Sequence, residues 1–176
     1  IAEPSNTWSN LFFIISGIII LYSSRQNLFK PLSLIGVTSI IVGINSFIFH
    51  MTGTWLGEFL DVSSMYLISG LFITFNLKRL FNLSNNRLIL FYLFYNMICI
   101  SLLWMIPEIG VPLFVVQVVV AGTLETRLYR SFSRDVDYKN LFRFLGAFAI
   151  AFTCWTLDIT KTVCIPQNHF ITGHAV

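Results

Sequence analysis

The sequence predicts an all-α membrane protein built as a bundle of transmembrane helices. Of its 176 residues, 56% are hydrophobic and only 11% are charged, and the mean hydropathy is +0.77, whereas a soluble domain carries about 25% charged residues. The apolar residues recur in stretches of roughly 20, the length with which a helix crosses a bilayer. The sequence lacks the alternating strands of an outer-membrane barrel. Because helices satisfy their own backbone in lipid, we expect one transmembrane domain over residues 1–176.

Six complete spans follow from the apolar stretches, and a seventh begins near Gly173. No repeat and no long linker divides the chain. It begins at Ile1 without a methionine and ends as the last stretch opens, so we expect a longer protein with a further N-terminal segment and a complete seventh helix. The predicted spans are Trp8–Ser23, Leu32–Met51, Trp55–Phe75, Leu88–Ile106, Val111–Leu128 and Leu141–Ile159.

The connections between the spans alternate in charge. The N-terminus and the even connections carry Lys161 as their one basic residue, while the odd connections are basic despite Asp135 and Asp137. By the positive-inside rule, the odd connections face the cytoplasm and the N-terminus lies on the other side. A net charge of +3 spread in this way argues against nucleic-acid binding. The basic residues of the odd connections are Arg25, Lys30, Lys78, Arg79, Arg87, Arg127, Arg130, Arg134 and Lys139.

Three polar residues lie where the second span turns into the third. Ser46 and His50 are spaced i, i+4 and therefore share one helix face. Asp61 lies about 9 Å below Trp55, at about 1.5 Å per residue. The turn at Gly53 is so short that the two spans must be neighbours, and Asp61 can face the pair. A carboxylate at this depth is costly, which indicates a function.

Further polar residues reach the same end of the bundle. Glu3, Asn6 and Asn10 follow i, i+3, i+7 and form one stripe entering the first span. Asp158 ends the sixth span, and His174 opens the seventh. The predicted topology therefore collects a polar cluster from five spans at one depth.

Structural interpretations of single residues stay open. Ser46 can bond back to the carbonyl of Val42, His50 can reach water at the interface, and Asp158 can pair with Lys161. Together, two histidines, a carboxylate and a hydroxyl suit a zinc ion with an activated water, although a third protein ligand is missing. Spacing alone predicts an intramembrane metal hydrolase or a proton-coupled transporter.

Several motifs resemble those of one family. "INSFIFH", with "LD" eleven residues after its histidine and "SSMY" next, resembles the S-x-x-x-H…D signature of the alkaline ceramidases. The opening "IAEPSNTWSNLFFIISG" resembles their first helix, with its A-E pair before an N-x-x-S-N motif. "WTLD" and "GHAV" resemble the end of the sixth helix and the H-x-x-x-H motif of the seventh. The superfamily also contains adiponectin-type receptors and lipid-remodelling hydrolases of the GPI pathway.

The resemblance implies a seven-helix zinc amidase that cleaves the N-acyl bond of ceramide-like lipids to a fatty acid and a sphingoid base. His50 and His174 would be zinc ligands, with a third histidine two residues beyond Val176. Asp61 would deprotonate the zinc-bound water, and Ser46 would stabilise the oxyanion. Without the third histidine, we expect the chain as given to be inactive or very weakly active.

Other expectations also come from the resemblance. Glu3 matches a calcium ligand of some members, and Cys164 matches a loop cysteine that pairs with a cysteine in the upstream segment. By the charge distribution of the connections, the active site would face the outer side, which is the periplasm in a bacterium or the ER or Golgi lumen in a eukaryote. A lipid substrate is implied, and no protein partner is.

Three rival functions stay open. A receptor-like relative would keep the zinc site and signal to a cytoplasmic partner. A related hydrolase would act on another lipid amide or ester. An ion-coupled transporter would use Asp61 and Asp158, and would favour paired broken helices in two halves, which the sequence does not contain.

Overall fold

A computed structural model of the chain describes residues 3–24, 31–132 and 139–160. These residues are helical and contain no strand, and helices occupy all six complete spans predicted above. Five stretches of the described chain are long and apolar enough to cross a membrane. The predicted seventh span lies outside the described residues. The helices are α1 Pro4–Ser9, α2 Leu11–Ser23, α3 Pro31–Thr52, α4 Trp55–Phe81, α5 Asn85–Met105, α6 Gly110–Phe132 and α7 Lys139–Ile159, with a 3₁₀ turn at Pro107–Ile109.

The first span begins earlier than predicted and is interrupted once. Pro4 occupies the start of α1, where its missing N–H costs no intrahelical hydrogen bond. Asn10 separates α1 from α2, and its side-chain Nδ2 donates to the carbonyl oxygen of Asn6 at 2.8 Å. Side-chain amides compete with the backbone in this way, which accounts for the interruption.

The third span, α4, continues past the predicted end at Phe75 to Phe81. Its last turns contain Lys78 and Arg79, so hydropathy marks where the apolar stretch ends and not where the helix ends. The helix stops at Asn82, which adopts a left-handed conformation with φ 49°, a common termination for a helix.

Helices α2 and α3 approach closely through glycine. A Cβ atom on Gly17 would lie 2.6 Å from the carbonyl oxygen of Gly36. Small residues of this kind let two backbones come together in lipid, where dispersion contacts and interhelical hydrogen bonds hold helices together. The contact brings α1 and α2 alongside α3.

The turn between α3 and α4 is short and well capped. Gly53 has φ 61°, a conformation that favours glycine. The Thr54 side chain accepts a 3.2 Å hydrogen bond from the backbone N–H of Gly57 and so caps α4. We call this end of the bundle, where α3 turns into α4, the Gly53 end.

Helix α4 is central in the described bundle, since it packs against α3, α5 and α6. Its buried surface is rich in small and polar residues, while many large apolar side chains of the other helices are exposed. This inside-out distribution is typical of a bundle in lipid. Buried polar residues of α4 include Ser63, Ser64, Ser69, Thr74 and Asn76, and exposed apolar residues elsewhere include Phe12, Ile19, Leu90, Phe94 and Val119.

Candidate active site

Glu3 and His50 join the start of α1 to the end of α3. The Glu3 carboxylate oxygen Oε2 lies 2.7 Å from Nδ1 of His50. The backbone N–H of Glu3 also donates to the carbonyl oxygen of His50 at 3.0 Å. The imidazole is buried, with 4% of its side chain exposed, whereas Glu3 is 48% exposed. The buried histidine therefore contacts Glu3 through both its side chain and its backbone, although Glu3 lies 47 residues earlier in the sequence.

The rest of the predicted polar stripe supports Glu3. Asn6 Nδ2 donates to Glu3 Oε2 at 2.5 Å, and the Thr7 hydroxyl donates to the Glu3 carbonyl oxygen at 2.7 Å. Asn6 in turn accepts from Asn10 through its carbonyl oxygen. Asn6, Thr7 and Asn10 are all buried. The stripe thus forms one connected network leading to His50.

Asp61 meets the α3 pair from the neighbouring helix. Its carboxyl group lies near the side chain of Ser46, and it lies within electrostatic range of His50 and Glu58. Ser46 is buried one helical turn before His50. The structure therefore brings together Ser46, His50 and Asp61, as the short turn between their helices predicts.

The described residues supply only part of the ligands that a zinc site needs. No group of three metal-ligating side chains occurs in residues 3–24, 31–132 and 139–160. One favourable feature is present, because a metal-binding imidazole usually has its second nitrogen held by a carboxylate or carbonyl, as Glu3 holds His50. For calcium, which takes 6–8 oxygen ligands, Glu3 alone falls far short, and calcium binding stays a prediction.

Several predicted site residues lie outside the described residues. These are the second zinc ligand His174, the disulfide candidate Cys164, and Lys161. Asp158 belongs to α7, but its side chain is outside the described part. Their predicted roles stay predictions.

Comparison with known proteins gives the family. The family model described as "Ceramidase" matches residues 1–175. The chain belongs to the ceramidase family. It is also 32% identical, over 180 aligned residues, to the alkaline ceramidase YPC1 of Saccharomyces cerevisiae, an alignment that covers 90% of this chain. The chain spans 57% of that relative's length. No solved structure matches.

Two residues near the site of this ceramidase-family chain were not predicted from the sequence. Asn45 Nδ2 donates a 3.2 Å hydrogen bond to the carbonyl oxygen of Leu60. Glu58 is exposed and lies one turn before Asp61 on α4. Asn45 could have been recognised from the sequence, because it is an amide within an apolar span and directly precedes Ser46. Glu58 could not have been recognised in this way, because acidic residues are common in the first turn of a helix.

A cavity of about 240 Å³ lies between α4 and the neighbouring ends of α5 and α6 in this family member. Trp55 and Phe59 line it, and Trp104 packs against them with ring centroids 5.1 Å and 5.3 Å away. Val62, the residue after Asp61 in the sequence, is also part of the wall. The full lining is Trp55, Glu58, Phe59, Val62, Leu103, Pro107, Glu108, Gly110 and Val111.

Proposed function

We propose that the protein is a membrane hydrolase that cleaves the amide bond of ceramide-like lipids, releasing a fatty acid and a sphingoid base. Its family and its alkaline ceramidase relative support this assignment. The observation that carries it is the cluster itself, in which a buried histidine and an aspartate lie together with a serine hydroxyl. These groups can accept and donate protons at one point of the bundle.

Zinc is the cofactor that we propose for this cluster. His50 would be one ligand, with His174 and a histidine four positions after it as the others. Zinc in this position would lower the pKa of a coordinated water towards about 7 and polarise the amide carbonyl. The carboxylate contact on His50 is consistent with such a ligand.

Asp61 is the proposed general base and acid. It would take a proton from the attacking water and then pass it to the leaving nitrogen of the sphingoid base. Ser46 can act in two ways. It can donate to the amide oxygen as negative charge develops there, or it can donate to Asp61 and hold it in place, since the two side chains lie near each other. Both roles at once would require the hydroxyl to change partners.

The cavity is the proposed entry for the lipid. Its aromatic and aliphatic walls suit an alkyl chain, and one wall residue, Val62, directly follows Asp61 in the sequence. A lipid amide that enters sideways from the bilayer would then reach the catalytic groups at the level of the Gly53 end. By the distribution of basic residues, we place this end on the non-cytoplasmic side of the membrane.

The test is hydrolysis of an N-acyl sphingoid base by the full-length protein in detergent, measured as released fatty acid. We expect release to be abolished by a zinc chelator, by His50→Ala and by Asp61→Asn. Thr52→Val is the matched control, since Thr52 is exposed two residues after His50 and its hydroxyl bonds only near the turn. It should leave release unchanged.

The rival functions have distinct outcomes in the same assay. Folded, zinc-loaded protein that releases nothing from several ceramides would contradict the ceramidase assignment. Release from another lipid amide or ester would then assign a related hydrolase. Zinc binding without any hydrolysis would favour the receptor-like relative.

A further inference from the structure

The cavity between α4, α5 and α6 has two acidic residues in a lining that is mainly apolar. Glu58 belongs to the first turn of α4, and Glu108 belongs to the 3₁₀ turn that precedes α6. Both residues are exposed, and within the described part of the chain neither carboxylate has a basic partner. The two carboxylates come from separate elements and line one cavity, and the described lining includes no basic residue. The cavity therefore carries net negative charge.

The basic residues of these three helices lie at the opposite end of the bundle. Helices α4 and α6 run in the same direction, since Tyr66 bonds to Gly110 near their starts and Arg79 pairs with Glu125 near their ends. The positive charges of the described helices therefore do not compensate the cavity. Negative charge in a cleft with low-dielectric walls raises the local concentration of cations. The basic residues are Lys78, Arg79, Arg87, Arg127 and Arg130.

Aromatic rings cover one side of the cavity. Trp55 and Phe59 line it, with ring centroids 5.9 Å apart, and Trp104 packs edge-on against both. The face of an aromatic ring attracts a cation within about 6 Å of its centroid, and tryptophan does so most strongly. Tryptophan is also enriched at the membrane–water interface. The two tryptophans thus place the cavity at the level of lipid headgroups.

The combined chemistry indicates a cationic amphiphile as the ligand. The carboxylates suit a positive headgroup, and Val62, Leu103 and Val111 suit an alkyl chain. The volume of about 240 Å³ is smaller than the roughly 300–1,000 Å³ of a site that encloses a drug-sized ligand. The headgroup and the adjoining part of the chain would therefore occupy the cavity, while the rest of the chain stays in the bilayer.

We propose that this cavity binds the sphingoid base released by hydrolysis, with its ammonium group at Glu58 and Glu108 and its alkyl chain along the apolar lining. The inference rests on the ceramide hydrolysis proposed above and deepens it, because the base carries a positive charge that the neutral amide lacks. Glu58 lies one helical turn before Asp61, about 4.5 Å along α4 at about 1.5 Å per residue, and within its electrostatic range. An amine released near Asp61 therefore meets a second negative charge one turn closer to the interface.

Binding of radiolabelled sphinganine to the full-length protein in detergent tests this inference. Fatty acid is left out, so that no amide can form and binding is measured apart from hydrolysis. We expect dodecylamine to displace sphinganine about 10-fold more effectively than dodecanol, which has the same chain without the charge. Glu58→Gln and Glu108→Gln should each weaken sphinganine affinity about 3-fold, and the double variant about 10-fold. The double variant should no longer distinguish dodecylamine from dodecanol.

Two further variants separate the effect of charge from that of packing. Glu125→Gln removes one negative charge at the opposite end of the bundle, where Glu125 pairs with Arg79. It should leave sphinganine affinity within about twofold, since the cavity lies far beyond the range of an exposed charge. Trp55→Leu keeps an apolar side chain and removes an aromatic face, so we expect it to weaken sphinganine affinity about 2- to 5-fold.

Each contrary result is distinct. Equal displacement by dodecylamine and dodecanol from the unmodified protein would overturn this inference, because the charge would not be recognised. Unchanged sphinganine affinity in the double variant would overturn it as well, and ceramide hydrolysis by the same preparation would leave the proposed enzyme intact. A double variant that loses bound calcium but keeps its sphinganine affinity would assign the carboxylates to a metal ion. Sphinganine binding that depends on both carboxylates, in a protein that hydrolyses no ceramide, would support the site and remove the ceramidase function.

Discussion

Asn45 donates a hydrogen bond from Nδ2 to the carbonyl oxygen of Leu60, 3.2 Å away, and thereby links α3 to α4 directly beside both halves of the candidate site. Asn45 immediately precedes Ser46, and Leu60 immediately precedes Asp61. The hydrogen bond therefore sets the register of the two helices at the level where Ser46 and Asp61 meet.

Loss of this bond should affect activity more than stability. We expect Asn45→Ala to lower kcat/KM about 10- to 100-fold, because a shift of about 1 Å between catalytic groups is sufficient for such a loss. The cost in stability should be about 0.6 kcal/mol, the average for a hydrogen bond between membrane helices. Hydrolysis rates and thermal unfolding in detergent measure the two effects.

Asn76 offers a matched control for Asn45. Its Nδ2 donates to the carbonyl oxygen of Ala121, also at 3.2 Å, and links α4 to α6 far along α4 from Asp61. Asn76→Ala should lower stability by a similar amount and leave kcat/KM nearly unchanged. Similar losses of activity in both variants would show that Asn45 has no special relation to the site.

Ser46→Ala distinguishes the two proposed roles of the hydroxyl. Since the Ser46 side chain lies near the Asp61 carboxyl group and can donate to it, we expect the variant to lower kcat and to displace the pH–rate profile. A serine that acts only on the amide oxygen would instead lower kcat about 100- to 1000-fold without displacing the profile. Ser39→Ala, at a buried serine two turns earlier on α3, should do neither. An unchanged profile in Ser46→Ala would refute the positioning role.

Gly17→Ala should destabilise the pair formed by α2 and α3. The new methyl group would lie 2.6 Å from both the carbonyl oxygen of Gly36 and the side chain of Ile40, so the helices must separate. We expect a loss of about 1–3 kcal/mol, as for other overpacked cores. Gly122→Ala is the control, since no described atom lies within 4 Å of the position that its new methyl group would take on α6. It should be neutral or slightly stabilising, and equal effects of the two changes would contradict the close approach.

Val111→Trp should obstruct the cavity. Val111 lines it at the start of α6, and a larger side chain there would compete with the lipid. We expect KM for a long-chain substrate to rise about 10-fold, equivalent to about 1.4 kcal/mol of binding free energy, while zinc content stays the same. Val116→Trp, at an exposed position on the same helix outside the cavity lining, should leave KM unchanged. An unaltered KM in Val111→Trp would exclude the cavity as the lipid entry.

Much of the site could be predicted because its spacing is local. Ser46 and His50 share a face by helix periodicity, and the short turn at Gly53 makes Asp61 a neighbour of that pair. The contact of Glu3 with His50 could not be predicted in the same way. It depends on how α1 and α2 lie against α3, which the close approach of Gly17 and Gly36 helps to determine.

The ends of the helices, likewise, could be predicted from the sequence only in part. The apolar stretch predicts that α4 crosses the membrane, but its continuation to Phe81 depends on a cap at Asn82. The interruption at Asn10 depends on the hydrogen bond from its side chain to the Asn6 carbonyl. Hydropathy carries no information on either feature, because it records composition and not hydrogen-bond partners.

The sequence by itself determined that this chain forms membrane helices and which polar residues of α1, α3 and α4 lie at one depth. The reason is that hydrocarbon leaves a backbone no hydrogen-bond partner outside its own helix. Only the tertiary structure decided which carboxylate meets which side of the cluster, Glu3 at His50 and Asp61 at Ser46. Lipid is as apolar as a leucine surface, so helix faces are chosen by close backbone packing and by individual hydrogen bonds, and these form only once the helices are together.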